Sequence, residues 1–339
     1  MNFRGKMNLK MDLKKEILRL KEELDVTLVA HFYQRDEVFE LADITGDSLE
    51  LARKAKETSS KYVVFCGVGF MGESVKVLSP EKTVLMPKIA CCAMARMIDE
   101  GYYEQNLKQI NDAGIPNEDI LPITYINSSA AVKAKVGEMG GMVCTSSNAY
   151  KIIEKGLESG KKIFFVPDRC LGQNFAKSLN LKSAVVGDGS DLKQADIICY
   201  NGFCSVHQLF TTEDVEFYRE KYPDILIAVH PECDPAICDM ADFVGSTSQL
   251  IKYIQELPLD QKVAVGTEYN MVNRLREKNT YILSSTKPEC PTMNETTLED
   301  VYKTLKSIKD NNISEETLIK VDENTIKWAR VALERMLEV

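Results

Sequence analysis

A cysteine and a histidine stand three residues apart at Cys204 and His207, where an apolar run gives way to a helical pattern within residues 200–210. If a helix starts at Cys204, both side chains share a face near its amino end, where free backbone N–H groups favour a thiolate or another anion. Taken alone, the spacing favours a packed cysteine over a ligand, because an unpaired cysteine behaves as a small buried hydrophobe. The rest of the chain changes that weighting. Only three histidines occur; His31 and His230 each end an apolar run, and His207 sits just past one. Tyr33 and Glu232 follow His31 and His230 by two residues, a hydroxyl and a carboxylate that could move protons.

The ten cysteines include no Cys-x-x-Cys pair and no Cys-x-x-x-Cys-x-x-Cys run, which disfavours ribbon-type zinc and ferredoxin-type clusters. Any ligands must therefore come from distant loops. Cys91-Cys92 and Cys204 are each expected to open a helix, and Cys290 lies between Pro288 and Pro291 with no evident packing role. Cys66, Cys144, Cys170, Cys199, Cys233 and Cys238 lie on or beside strands and short turns, where burial is the default.

The elements that must position these residues follow a repeated plan. Short runs rich in Val, Ile and Phe recur, each followed by small polar residues and a helical pattern, which predicts parallel strands joined by helices. They fall into three groups: residues 26–31, 62–66 and 83–86; then 122–126, 141–144 and 162–166; then 197–200, 225–230, 243–245 and 263–266. Helices are predicted over 47–58, 92–110, 148–158, 205–222, 247–257 and 269–278. The charged tail 294–339 reads as helical, with Ser314-Glu315-Glu316 as an amino-terminal cap and Trp328 docking it on the body.

Ligands of open parallel sheets bind beyond the carboxyl ends of the strands. The residues found there include His31-Phe32-Tyr33-Gln34, Tyr125-Ile126-Asn127, Cys144-Thr145-Ser146, His230-Pro231-Glu232, Gly245-Ser246-Thr247 and Gly266-Thr267-Glu268. A single Ser, Thr or Asn at a helix start is first of all a cap. Four such starts, at Ser48, Asn127, Ser146 and Ser246-Thr247, predict helix amino ends around one space and a small substrate with several negative charges. No Gly-x-x-x-x-Gly-Lys or Gly-x-Gly-x-x-Gly sequence ends a strand, so a nucleotide fits poorly.

A net charge of −9 over 339 residues argues against binding to nucleic acid or to a membrane surface. The amino-terminal stretch lacks the apolar core of a signal peptide, and no segment is long enough to span a bilayer, so a cytoplasmic location is expected. The cysteines are then packing, metal or redox groups rather than a disulfide framework.

Read in order, the motifs resemble those of the quinolinate synthase (quinolinate synthetase A) family. The resemblance runs through His31-Phe32-Tyr33-Gln34, Ala42-Asp43-Ile44-Thr45-Gly46-Asp47-Ser48-Leu49, Phe65-Cys66-Gly67-Val68-Gly69-Phe70-Met71 and Leu78-Ser79-Pro80-Glu81-Lys82. It continues at Cys92-Ala93-Met94-Ala95, Thr124-Tyr125-Ile126-Asn127-Ser128, Cys144-Thr145-Ser146-Ser147-Asn148-Ala149 and Pro167-Asp168. It ends with Gly202-Phe203-Cys204-Ser205-Val206-His207, His230-Pro231-Glu232-Cys233, Gly245-Ser246-Thr247, Gly266-Thr267-Glu268 and Cys290-Pro291-Thr292-Met293. Gly69 stands where the family commonly has histidine, Tyr200-Asn201 replaces a common Trp-Pro, and Gln208 replaces a common glutamate.

The resemblance implies an α/β fold of three similar α/β/α units, each with a short parallel sheet, around a pseudo-threefold axis with the active site at their junction. The corresponding segments are residues 1–100 with an amino-terminal helix, 101–190, 191–280, and a ligand loop with carboxyl-terminal helices over 281–339. It implies a transferase that condenses iminoaspartate with dihydroxyacetone phosphate to quinolinate, phosphate and water on the route to NAD. It also implies a 4Fe-4S cluster with Cys92, Cys204 and Cys290 as its ligands and one open iron acting as a Lewis acid. Substrate contacts are implied for His31, Ser48, Tyr125, Asn127, Ser146, His230, Glu232, Ser246 and Thr247, with His31, Tyr33, His230 and Glu232 catalytic and His207 orienting the site or supporting the Cys204 loop. Transient contact with L-aspartate oxidase is expected from pathway logic, because iminoaspartate is unstable in water.

Overall fold

The computed structural model describes residues 3–339, with side chains from residue 11 onward. Its strands form three parallel sheets. The first contains β1 (Val26–His31), β2 (Ile44–Gly46), β3 (Tyr62–Cys66) and β4 (Thr83–Leu85), in the order β2-β1-β3-β4. The second contains β5 (Ile120–Tyr125), β6 (Met142–Cys144), β7 (Lys162–Val166), β8 (Ser183–Val185) and β9 (Ile197–Cys199), in the order β6-β5-β7-β9-β8. The third contains β10 (Leu226–Val229), β11 (Phe243–Val244), β12 (Val263–Gly266) and β13 (Thr280–Ile282), in the order β11-β10-β12-β13.

In each sheet the first strand is flanked by the second and the third, so the three α/β units share one winding. Register agrees as well: β1 begins opposite β3 at Val26 and Tyr62, β5 opposite β7 at Ile120 and Lys162, and β10 opposite β12 at Leu226 and Val263. These central strands read as unbroken apolar runs because helices cover both of their faces, which leaves no solvent side for alternation. Burial confirms it, with every residue of β1, β5 and β12 buried.

Three expectations need correction. The run ending at Tyr200 belongs to the second sheet, where Ile197–Cys199 pairs with both β7 and β8, and not with the third group. The pattern over 92–110 is a 3-10 turn at Ala95–Met97 followed by a helix from Glu100, which starts where the Asp99 carboxylate accepts from Tyr102 N. The pattern over 205–222 is likewise a 3-10 turn at His207–Leu209 and then the helix Thr212–Lys221, opened by a reciprocal capping box between Thr211 and Asp214. Neither Cys92 nor Cys204 therefore opens an α-helix; each lies in extended or turn backbone ahead of a short 3-10 turn.

The chain divides into two compact units, one of Met1–Cys92 with Pro291–Ile326, the other of Ala93–Cys290 with Lys327–Val339. In the first, the helix Phe3–Leu24 packs beside the helix Leu298–Lys309, and Ile17, Leu20, Leu28, Val64, Leu85, Leu298, Val301 and Leu305 share one core. Lys21, buried among them, pairs with Asp43 at 2.8 Å. In the second, the final helix presses its backbone on the helix Ala130–Glu138, so closely that a Cβ on Gly137 would lie 2.1 Å from the Trp328 carbonyl oxygen. Glycine is required at that contact. Trp328 is half-buried there, and its helix starts after Asp322, whose Oδ1 accepts from Thr325 N; Ser314 instead closes a turn by accepting from Thr317 N. Among the described residues, no helix is long and apolar enough to cross a membrane.

Candidate active site

Two strand ends carry the same local device. His31 closes β1 and His230 follows β10, and each ring Nδ1 accepts the backbone N–H of the residue two further on: Tyr33 at 3.1 Å, Glu232 at 3.3 Å. Each turn is closed by a second bond, Gln34 N to the His31 carbonyl and Cys233 N to the His230 carbonyl, both 3.0 Å. With Nδ1 held as an acceptor, the proton of a neutral ring sits on Nε2. In the first unit Tyr33 also meets His31 edge-on, with ring centroids 4.7 Å apart.

Within the second unit, the ends of the second and third sheets meet around Glu232. The Tyr125 hydroxyl, at the end of β5, donates to Glu232 Oε1 at 2.7 Å. His207 Nδ1 lies 2.9 Å from Oε2, near enough for charge pairing though not aligned as a hydrogen bond. His207 also stacks on His230 at 4.7 Å, and its Nε2 meets the Thr267 hydroxyl at 3.0 Å. His207 and His230 are each 2% exposed and Glu232 3%, so water screens none of these contacts. Burial by itself would raise the Glu232 pKa, but His207, His230 and the Tyr125 hydroxyl outweigh it and hold the carboxyl at about 2. Asp168 moves the other way, well above the usual range, through burial and then the nearby charge of Glu232. Its Oδ1 caps the helix Arg169–Ser178 by accepting from Leu171 N, while Oδ2 is buried without a hydrogen-bond partner.

The same two sheets also bring together Ser147 and Ser246, whose hydroxyls are 3.0 Å apart. Of the four predicted helix starts, Ser246 alone is itself the cap, forming a capping box with Gln249. At the others a neighbour satisfies the free amides: Asp47 beside Ser48 and Ser129 beyond Asn127, while the helix after Ser146 starts at Ala149. Capping therefore does not explain Ser48, Asn127 or Ser146. The Asn127 side-chain oxygen is buried and has no hydrogen-bond partner, as expected of a group aimed at a ligand. Its loop is fixed by the fully buried Lys133, whose ammonium donates to the Ile126 carbonyl at 2.8 Å and to that of Ser128.

The cysteines separate by environment. Burial pushes the thiols of Cys66, Cys170 and Cys238 up to about 12, and raises those of Cys144, Cys199 and Cys233 as well. Groups so disposed stay thiols and are poor metal ligands. Cys92, Cys204 and Cys290 are half-buried and Cys91 is exposed. Cys204, His207 and Glu232 each offer a ligand atom, all within 4.8 Å of one another, which is a possible metal-binding group. Cysteine thiolates suit a soft metal or an iron–sulfur cluster.

The strand-end rule found His31, His230 and Tyr125 but gave no role to Thr267 or Glu268, which end the third sheet, and selected Ser146 where its neighbour Ser147 makes the hydroxyl contact. Only the partners across the sheets distinguish these residues. The departures from the family pattern have local partners: the Tyr200 hydroxyl donates to the Met97 carbonyl, Gln208 Nε2 lies 3.5 Å from Cys170 Sγ, and a Cβ on Gly69 would meet its nearest neighbours at 3.5 Å, an ordinary van der Waals contact.

Acid–base side chains buried together where parallel strands end are the arrangement expected of an enzyme of the parallel α/β class. A family model described as Quinolinate synthetase A protein matches residues 15–338. The chain is 55% identical over 334 residues to a quinolinate synthase of Helicobacter pylori, covering 97% of this chain and 98% of that protein. It is 40% identical over 348 residues to a quinolinate synthase of Acidobacterium capsulatum, with 97% and 93% covered, and 39% identical over 340 residues to one of Streptomyces coelicolor, with 94% and 86% covered. The chain belongs to the quinolinate synthetase A family.

Proposed function

We propose that this enzyme condenses iminoaspartate with dihydroxyacetone phosphate, giving quinolinate, phosphate and water for NAD biosynthesis. The observation that carries the proposal is the buried Tyr125–Glu232–His207 network, together with relatives named for quinolinate formation. Glu232, held as a carboxylate, takes a proton from the substrate, and Tyr33 is its partner in proton transfer. His31, Ser48, Tyr125, Asn127, Ser146, His230, Ser246 and Thr247 bind the phosphate and carboxylate groups; the unpartnered oxygen of Asn127 supports a polar ligand there. His207 orients Glu232, and burial of the network excludes water that would hydrolyse an imine.

Cys92, Cys204 and Cys290, the residues that the family resemblance implies, are those that would hold a 4Fe-4S cluster, and all three are half-buried. When bound, such a cluster supplies an open iron as a Lewis acid toward a substrate hydroxyl or carboxylate. The three α/β units would lie about a pseudo-threefold axis, with iminoaspartate received from L-aspartate oxidase in transient contact and the whole working in the cytoplasm.

A second reading, a zinc- or iron-dependent aldolase or dehydratase acting on another phosphorylated sugar, is favoured by the close Cys204, His207 and Glu232 ligand atoms. Purification without oxygen, iron and sulfide analysis, and an assay for quinolinate from the two substrates distinguish the two. Iron with matching sulfide and quinolinate production support the first. Zinc without sulfide and no quinolinate would leave the second.

A further inference from the structure

The strand end Gly266-Thr267-Glu268 reaches both the Cys290 loop and His207, in the turn that follows Cys204. Thr267 holds His207, three residues from Cys204, by its hydroxyl at 3.0 Å. Glu268, fully buried, accepts through Oε2 from Asn270 N at 2.8 Å and Met271 N at 3.3 Å. Its Oε1 accepts from Asn270 Nδ2 at 3.2 Å and from the backbone N–H of Cys290 at 3.3 Å. A second main-chain bond, Tyr269 N to the Pro288 carbonyl at 2.9 Å, runs beside it, and Lys287 lies 4.1 Å above the Tyr269 ring.

Capping does not account for this choice of residue. The helix Tyr269–Arg274 needs only an oxygen for its first amides, which Ser, Thr, Asp or Asn supplies better than Glu. Glutamate adds one methylene, and with it one oxygen caps while the other reaches a different loop. Pro288 and Pro291 remove N–H donors on either side of Cys290, which adds weight to the donor that Cys290 itself presents to Glu268.

We propose that Glu268 is a positioning residue for the Cys290 loop, and that with Thr267 it lets one strand end set Cys204 and Cys290 relative to each other. This rests on reading Cys204 and Cys290 as cluster ligands. Two substitutions separate positioning from capping. Glu268→Asp keeps an oxygen for the helix amides but is too short to reach Cys290. Glu268→Gln keeps an acceptor for Cys290 N–H while turning its amide donors toward the helix start.

The test is made on the full chain purified without oxygen, measuring amide exchange at Cys290, iron loss to an added chelator, and the electron paramagnetic resonance spectrum of the reduced protein. Glu268→Asp is expected to speed Cys290 exchange and iron loss about tenfold, the effect of one buried hydrogen bond, and to alter the spectrum with thermal stability near that of the parent. Glu268→Gln is expected to keep Cys290 protected while lowering thermal stability. Parent-like exchange in Glu268→Asp, or equal loss of protection in both variants, would overturn the proposal. If the parent chain carries no iron or sulfide, the cluster reading fails, and the exchange comparison still decides whether Glu268 holds the loop.

Discussion

Two glutamates past strand ends of the third sheet are almost equally buried and are pushed in opposite directions. Glu232, beyond β10, is held at about 2, whereas burial raises Glu268, beyond β12, to about 8 against the pull of the amides of Cys290, Met271 and Asn270. Desolvation acts on both. The difference lies in what each faces: Glu232 meets two imidazoles and a phenol, whose charge and hydroxyl favour the anion, while Glu268 meets neutral N–H groups that only partly offset burial. One carboxyl is kept charged, and the other is a packed acceptor.

The largest effect expected from this contrast is on turnover. Glu232→Gln keeps the shape and an acceptor for the Tyr125 hydroxyl but removes the base, so kcat should fall by about 10²–10⁴-fold with a smaller change in KM. An unchanged kcat would make Glu232 as structural as Glu268.

The pH dependence of stability should come next in size and run oppositely for the two sites. Because the Glu268 pKa is raised in the fold, the native state binds more protons than the unfolded chain between about 4.5 and 8, so its contribution to stability falls as pH rises through that window. Glu232, depressed in the fold, contributes stability that is present above about 4.5 and is lost as pH falls toward 2. Denaturant titrations without metal should therefore show Glu268→Gln, less stable than the parent at acid pH, gaining on it from acid to alkaline pH. The gain should reach up to a few kcal/mol, since each tenfold change in proton affinity is worth about 1.4 kcal/mol. A constant difference across that range would show that Glu268 is not raised.

Tyr125→Phe removes the donor on Glu232 Oε1 while keeping the ring. A hydrogen bond to a charged group is worth about 1.5–3 kcal/mol, so the loss should cost tenfold or somewhat more in kcat and move the acidic limb of the pH–rate profile upward. A profile that keeps its acidic limb would assign the low pKa to the imidazoles alone.

Much of the fold and site is legible in the sequence because central parallel strands are apolar on both faces. β1, β5, β7, β10 and β12 stand out as runs, and the residues at their ends or just beyond, His31, Tyr125, His230 and Glu232, follow from the rule that ligands gather there. Three of the short strands escape the apolar-run pattern: Ile44–Gly46, Ser183–Val185 and Thr280–Ile282 carry too few consecutive apolar residues, and Ile197–Cys199 gives no hint of which neighbour it pairs with. Helix starts at Glu100 and Thr212 depend on Asp99 and Thr211, whose capping outweighs the apolar pattern that begins earlier. The opposed states of Glu232 and Glu268 lie beyond sequence because their partners are far along the chain: His207 and Tyr125 for one, Cys290 for the other.

The smallest expected effect comes from Thr267, where the two environments touch. Its fully buried hydroxyl holds His207 Nε2, and His207 in turn faces Glu232, so Thr267 acts on the base only through the ring. Thr267→Val keeps the branched shape beside Glu268 and removes the hydroxyl, leaving one ring nitrogen without its partner at a cost of about 1–3 kcal/mol in stability. If the hydroxyl orients the ring, the His207 nitrogen resonances should shift and kcat should fall by less than in Tyr125→Phe, with Cys290 exchange unchanged. Accelerated Cys290 exchange in this variant would mean instead that the strand end moves as one piece, so that the charged and neutral glutamates are mechanically joined although their electrostatics are separate.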